Sequence, residues 1–96
     1  MRLKDLLKNK RGEILRIAAR NGARNVRVFG SAARGDDNAQ SDVDFLVEME
    51  EGRSLLDLGR LLMELQESLG RRVDLVEVEG LHWFVRDRVL REAIAL

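Results

Sequence analysis

Phe29-Gly30-Ser31-Ala32-Ala33-Arg34-Gly35-Asp36-Asp37-Asn38-Ala39-Gln40-Ser41-Asp42-Val43-Asp44-Phe45-Leu46-Val47 is the stretch around which the rest of the chain is organised. The apolar run Val26 to Val28 leads into it, and a second apolar run carrying two aspartates leads out. Between them lie a Gly-Ser turn, a short Ala-Ala-Arg segment and a polar loop. Asp42 and Asp44 are two residues apart, so on a strand both side chains point to one face. Paired carboxylates on one face repel, and a divalent cation relieves that repulsion. An oxygen-only donor set suits Mg²⁺. Gly30-Ser31 can present backbone N–H groups and a hydroxyl at the start of a short helix, a natural seat for phosphate. A phosphate seat beside paired carboxylates reads as metal-assisted phosphoryl or nucleotidyl transfer.

Gly30-Ser31, then Arg34-Gly35, a five-residue spacer and Ser41-Asp42-Val43-Asp44 together resemble the signature of the DNA polymerase β-type nucleotidyltransferase superfamily. Spacing and chain size are most similar to its minimal nucleotidyltransferase (MNT) branch, whose members act as antitoxins beside HEPN-domain toxins. Neither the Gly-Ser pair nor the Asp-x-Asp carries this resemblance alone. Their combination, with Arg-Gly between them, does.

The chain has 96 residues, which predicts one domain over 1–96 with a single modest core. It has no cysteine, which excludes a disulfide framework and a Cys-based zinc site. No apolar run approaches a membrane span, and the N-terminus lacks a signal peptide's apolar core, so a cytoplasmic protein is expected. Net charge is zero but unevenly spread: residues 1–35 hold ten Lys and Arg against two acids, Asp5 and Glu13. The basic half is either a set of solvated helix faces or a surface that draws in a triphosphate or an acidic partner. A neutral total disfavours a dedicated nucleic-acid binder.

Leu3, Leu6 and Leu7 begin a helical pattern that Ile14, Leu15, Ile17 and Ala18 continue to about Arg20, with Gly12 arguing against one unbroken helix. Asn21-Gly22 stops it. Strands are predicted over 24–29, 43–49 and 72–78. Ser54 and Asp57 form a capping signal for a helix closed by Gly70. On that helix Leu55, Leu58, Leu62, Leu65 and Leu69 form the core stripe, while Leu56 and Leu61 fall off it and are available to a partner. Met49 and Met63 read as core or near-core filler. A final helix is predicted over 81–96. The alternation gives a small layered α/β domain. A parallel sheet would fit it equally, and the resemblance implies a mixed β-sheet with flanking helices, as in the polymerase β palm.

Asp74 stands in the apolar run Val73-Asp74-Leu75-Val76, where an unpaired buried charge would be costly. It is the candidate third carboxylate, and the resemblance implies the same. The alternatives are an exposed strand edge, or pairing with Arg71 or Arg72. Asp42, Asp44 and Asp74 are then the candidate catalytic residues and Mg²⁺ ligands, with two ions expected. Gly30 and Ser31 are the candidate nucleotide-phosphate contacts. Arg34 either joins them or pairs with Asp36 or Asp37. Ser41 orients the loop. His82, the single histidine, has no motif partner, and Trp83 reads as packing or partner contact. The resemblance implies transfer of AMP from ATP to a protein hydroxyl, a tyrosine of a cognate HEPN toxin. The rival is an antitoxin that neutralises its partner by binding alone. Either way, little chain remains beyond the carboxylate core, so acceptor selection should fall to a partner protein. The expected contact surface is the basic N-terminal region with part of the last helix around Trp83.

Overall fold

A computed structural model describes residues 2–35, 38 and 40–96. The expected contacts of Asp36 and Asp37 with Arg34 lie outside the described residues. In chain order the elements are α1 (Leu3–Arg20), β1 (Ala23–Phe29), α2 (Ser31–Arg34), β2 (Val43–Met49), α3 (Leu55–Leu69), β3 (Val73–Glu77), a 3₁₀ turn (Val78–Gly80), α4 (Trp83–Glu92) and β4 (Ile94–Ala95).

The four strands form one mixed sheet in the order β3-β2-β1-β4. β1 runs antiparallel to β2 and to β4, whereas β2 and β3 are parallel. Alternation along the strands sorts the two faces. Val26, Val28, Val43, Phe45, Val47 and Val73 point inward, into a core completed by residues of α1 and α3. The opposite face carries the residues between them, Asp44 and Asp74 among them. Leu46 lies outside that core, yet it is fully buried.

α1 is unbroken through Gly12. A mid-helix glycine costs about 1 kcal/mol, and burial of Leu3, Leu7, Ile14, Ile17 and Ala18 on one helical stripe outweighs that. α3 begins with the predicted capping box: Ser54 accepts from Leu56 N–H, and the Asp57 carboxylate accepts from Ser54 N–H. Its buried stripe differs from the one expected. Leu61, Leu65 and Leu69 are buried, whereas Leu55 is 83% exposed. A period of 3.6 places positions 61 and 62 on the same broad stripe, so Leu61 belongs to the core rather than to a partner surface. Leu56 is exposed as expected, and Met63 is a surface residue rather than core filler.

The predicted helix over 81–96 ends early. α4 stops at Glu92, and Ile94–Ala95 extends along the free edge of β1, pairing with Val28 and Arg27. Unpaired strand edges bind short extended segments readily, and two residues are too few to show a period of two in the sequence. α4 buries no residue, and His82 serves as its N-cap, with Nδ1 accepting from Phe84 N–H. No helix among the described residues is long and apolar enough to cross a membrane.

Candidate active site

One row across the sheet builds the site. Phe29 pairs with Asp44 in the antiparallel β1–β2 ladder, and Asp44 pairs with Asp74 in the parallel β2–β3 ladder. The chain leaves β1 at Phe29 and turns at Gly30, directly beside Asp44. Gly30 has φ 68° and ψ −143°, a region that side chains rarely adopt. A Cβ placed there would collide with Asp44 Oδ2. Glycine is therefore required twice over, by the backbone angle and by the closeness of the carboxylate.

α2 follows at once. Its backbone bonds start with Arg34 N–H to Gly30 O at 3.1 Å. The N–H groups of Ser31, Ala32 and Ala33 precede the first helical bond and so have no acceptor within the helix. Ser31 thus stands where the turn opens, half-buried. The structure brings Gly30, Ser31, Asp44 and Asp74 together as the sequence predicts. Arg34 is close enough for its charge to act on Asp44.

The carboxylates differ in environment. Burial pushes Asp44 up to about 6, helped by the Asp74 carboxylate, which can accept a hydrogen bond from protonated Asp44, and by the charges of Asp74 and Asp42, with Arg34 pulling the other way. Like charges held close on adjacent strands cannot all ionise freely. Asp74 itself is exposed, on the edge strand β3. Asp74 thus occupies the exposed strand edge weighed above as an alternative, register sets it beside Asp44, and Asp44 is the half-buried member of the pair. Asp42 sits just before β2, with Oδ1 3.7 Å from Arg72 Nε. Among the described residues, no three of His, Cys, Asp and Glu form a ready-made metal cluster. The donor chemistry nonetheless suits a hard divalent cation. The set is all oxygen, it straddles two adjacent strands, and Asp74 and Asp42 raise the proton affinity of Asp44.

Two arginines that the sequence reading assigned no firm role hold the loop. Arg71 donates to the carbonyls of Asn38 at 2.8 Å and Ser41 at 2.7 Å. The Ser41 hydroxyl accepts from Asn38 N–H at 2.8 Å, which is the loop-orienting role foreseen for it. Arg72 faces Asp42. The signal available in the sequence was a pair of cations at the entrance to the strand that bears Asp74. What it lacked was the parallel pairing that sets β3 beside the entrance to β2, where Val43 N–H bonds to Arg72 O at 2.9 Å.

Residues 11–96 match the model of the nucleotidyltransferase domain family. A chain from Methanocaldococcus jannaschii, named for protein adenylyltransferase activity, is 44% identical over 82 residues, covering 85% of this chain and 88% of that one. Protein adenylyltransferase MntA of Thermococcus cleftensis is 45% identical over 78 residues, covering 81% and 79%. Among solved structures, a minimal nucleotidyltransferase superposes with a TM-score of 0.90 at 51% identity, covering 100% of this chain and 97% of that one. A toxin–antitoxin structure with AMP-PNP shares the fold at a TM-score of 0.74 and 21% identity, covering 88% and 69%.

Proposed function

The chain belongs to the nucleotidyltransferase domain family, and from that membership we propose that it is a protein adenylyltransferase moving AMP from ATP to a partner protein's hydroxyl. The observation that carries this reading is the row Gly30–Asp44–Asp74: a turn open to phosphate lies against one carboxylate, and that carboxylate stands in register beside a second on the next strand.

Each residue has a distinct task. Gly30 lets the phosphates approach the backbone, and Ser31 donates its hydroxyl to a β- or γ-phosphate oxygen. Arg34 offsets the negative charge gathered there. Asp42, Asp44 and Asp74 would hold Mg²⁺, which when bound screens the triphosphate and polarises the α-phosphorus. Asp74 accepts the proton of the incoming hydroxyl in this reading, which its exposure at the sheet edge supports. The acceptor oxygen forms a bond to the α-phosphorus, the bond to the bridging β-phosphate oxygen breaks, and pyrophosphate leaves.

We assign the acceptor to a tyrosine of a HEPN-domain toxin, so that modification silences the toxin. The names of the similar adenylyltransferases and the toxin–antitoxin setting of a fold neighbour support a toxin as the target. The test is transfer from α-labelled ATP with Mg²⁺ to the toxin from the adjacent reading frame. Asp42→Asn and Asp44→Asn keep side-chain shape and remove charge, and each should lower labelling by orders of magnitude. Labelling unchanged in both variants would move the chemistry elsewhere.

A further inference from the structure

Beside the proposed site, on the far side of α2, runs a groove of about 470 Å³ between α1, α2 and the β4 edge. Lys4, Lys8 and Arg11 line one wall, and Leu7, Ala32 and Ile94 contribute apolar surface. The three cations recur at i, i+4 and i+7, so they share one face of α1. No acidic side chain is among the described residues that line the groove, and Lys4 and Lys8 form no ion pair among the described residues. Its far wall starts at Ala32, one residue beyond Ser31. β4 ends the sheet there, paired on one side only.

We infer that this groove docks an acidic, amphipathic segment of the protein whose hydroxyl is modified. This rests on the adenylyltransferase reading above and adds to it the means of choosing an acceptor. A row of cations over apolar surface, with Arg11 held by Leu96 O at 3.3 Å and Lys4 and Lys8 without an ion pair among the described residues, matches a segment with carboxylates on one side and aliphatic side chains on the other. Nucleic acid fits less well. The described lining residues include no aromatic side chain on which a base could stack, and the chain's net charge is zero. A segment lying along α1 and α2 passes close to Ser31, so docking raises the local concentration of the acceptor hydroxyl beside the nucleotide.

The experiment compares the 96-residue chain with its Lys4→Glu/Lys8→Glu double variant. Both lysines are exposed, and glutamate forms helix about as well as lysine, so the variant should fold. The probe is a short fluorescent peptide repeating Glu-Glu-Leu-Leu, read by anisotropy, with oligoadenylate as competitor and Mg²⁺-ATP affinity measured in parallel. The expected result is peptide binding that weakens about tenfold or more in the variant, with ATP affinity unchanged. Equal or absent peptide binding in both proteins overturns the inference. Displacement of the peptide by oligoadenylate at lower concentration overturns it in favour of RNA. Peptide binding as expected without ATP binding in either protein would leave the groove standing and remove the adenylyltransferase reading instead.

Discussion

At Gly30 the backbone angle and the Asp44 carboxylate impose the same residue for separate reasons, and substitution separates them. Gly30→Ala should destabilise the fold by about 1–3 kcal/mol. Adding Asp44→Ala should recover the part due to collision but not the part due to φ, and a double-mutant cycle by urea denaturation reads both. Equal destabilisation with and without the second change would mean that Asp44 does not crowd the turn. Asp44 also makes stability depend on pH. Its carboxyl holds a proton more tightly folded, at about 6, than its ordinary 3.8 allows. The proton therefore favours the native state, fully so below about 3.8, and that contribution is lost as pH rises through about 6. Asp44→Asn lacks this loss. Its melting temperature should match wild type near the lower value, relative to the variant's own baseline, exceed it increasingly towards the upper one, and hold a constant margin above that. A pH-independent difference would contradict the shared-proton pair. Asp44 was legible as a candidate from the Asp-x-Asp spacing taken together with the Gly-Ser turn. Its partial burial, and the exposure of Asp74, were not, because both depend on which strand lies at the sheet edge.

At the scale of elements, α3 shows where periodicity decides and where it leaves a choice. The stop at Gly70 and the cap at Ser54-Asp57 were readable because capping chemistry is local. The choice between Leu61 and Leu55 was not, since both fit a broad helical stripe and only the sheet's extent selects between them. Leu61→Ala should cost about 2–5 kcal/mol as a cavity in the core, whereas Leu56→Ala should stay within about 0.5 kcal/mol. Comparable losses in chemical denaturation would mean that α3 is rotated from the orientation described. β4 was illegible for a different reason. Its two residues gain their conformation from the unpaired edge of β1, a partner distant in sequence. The motif stretch was readable throughout its described part because Gly-Ser turn, short helix and Asp-x-Asp strand are each set by neighbouring residues.

Across the whole molecule, α1 and α3 occupy one face of the sheet, and the other is left to the carboxylate row. The mixed sheet places the two halves of the motif side by side: β1 delivers the Gly30-Ser31 turn, β2 the paired aspartates, and β3 the third carboxylate in parallel register. Composition and alternation pointed to an α/β domain, but parallel and mixed sheets share that alternation, and family resemblance alone selected the mixed one. With so much of the small fold committed to core and carboxylates, the proposed transfer would leave substrate choice to the partner and its docking. The chain alone should therefore turn over Mg²⁺-ATP slowly, and Ser31→Ala should weaken ATP binding by about 1.5 kcal/mol, roughly tenfold, in a calorimetric titration. Wild-type affinity in that variant would place the phosphates away from the turn. The central claim, that this chain silences a partner by covalent transfer, is tested most directly by intact-mass spectrometry of the toxin from the adjacent reading frame after incubation with ATP and Mg²⁺. The account predicts added mass in multiples of AMP with the wild-type chain and none with Asp74→Asn. Full neutralisation of the toxin by both proteins, with no mass added in either sample, would contradict it and leave an antitoxin that acts by binding alone.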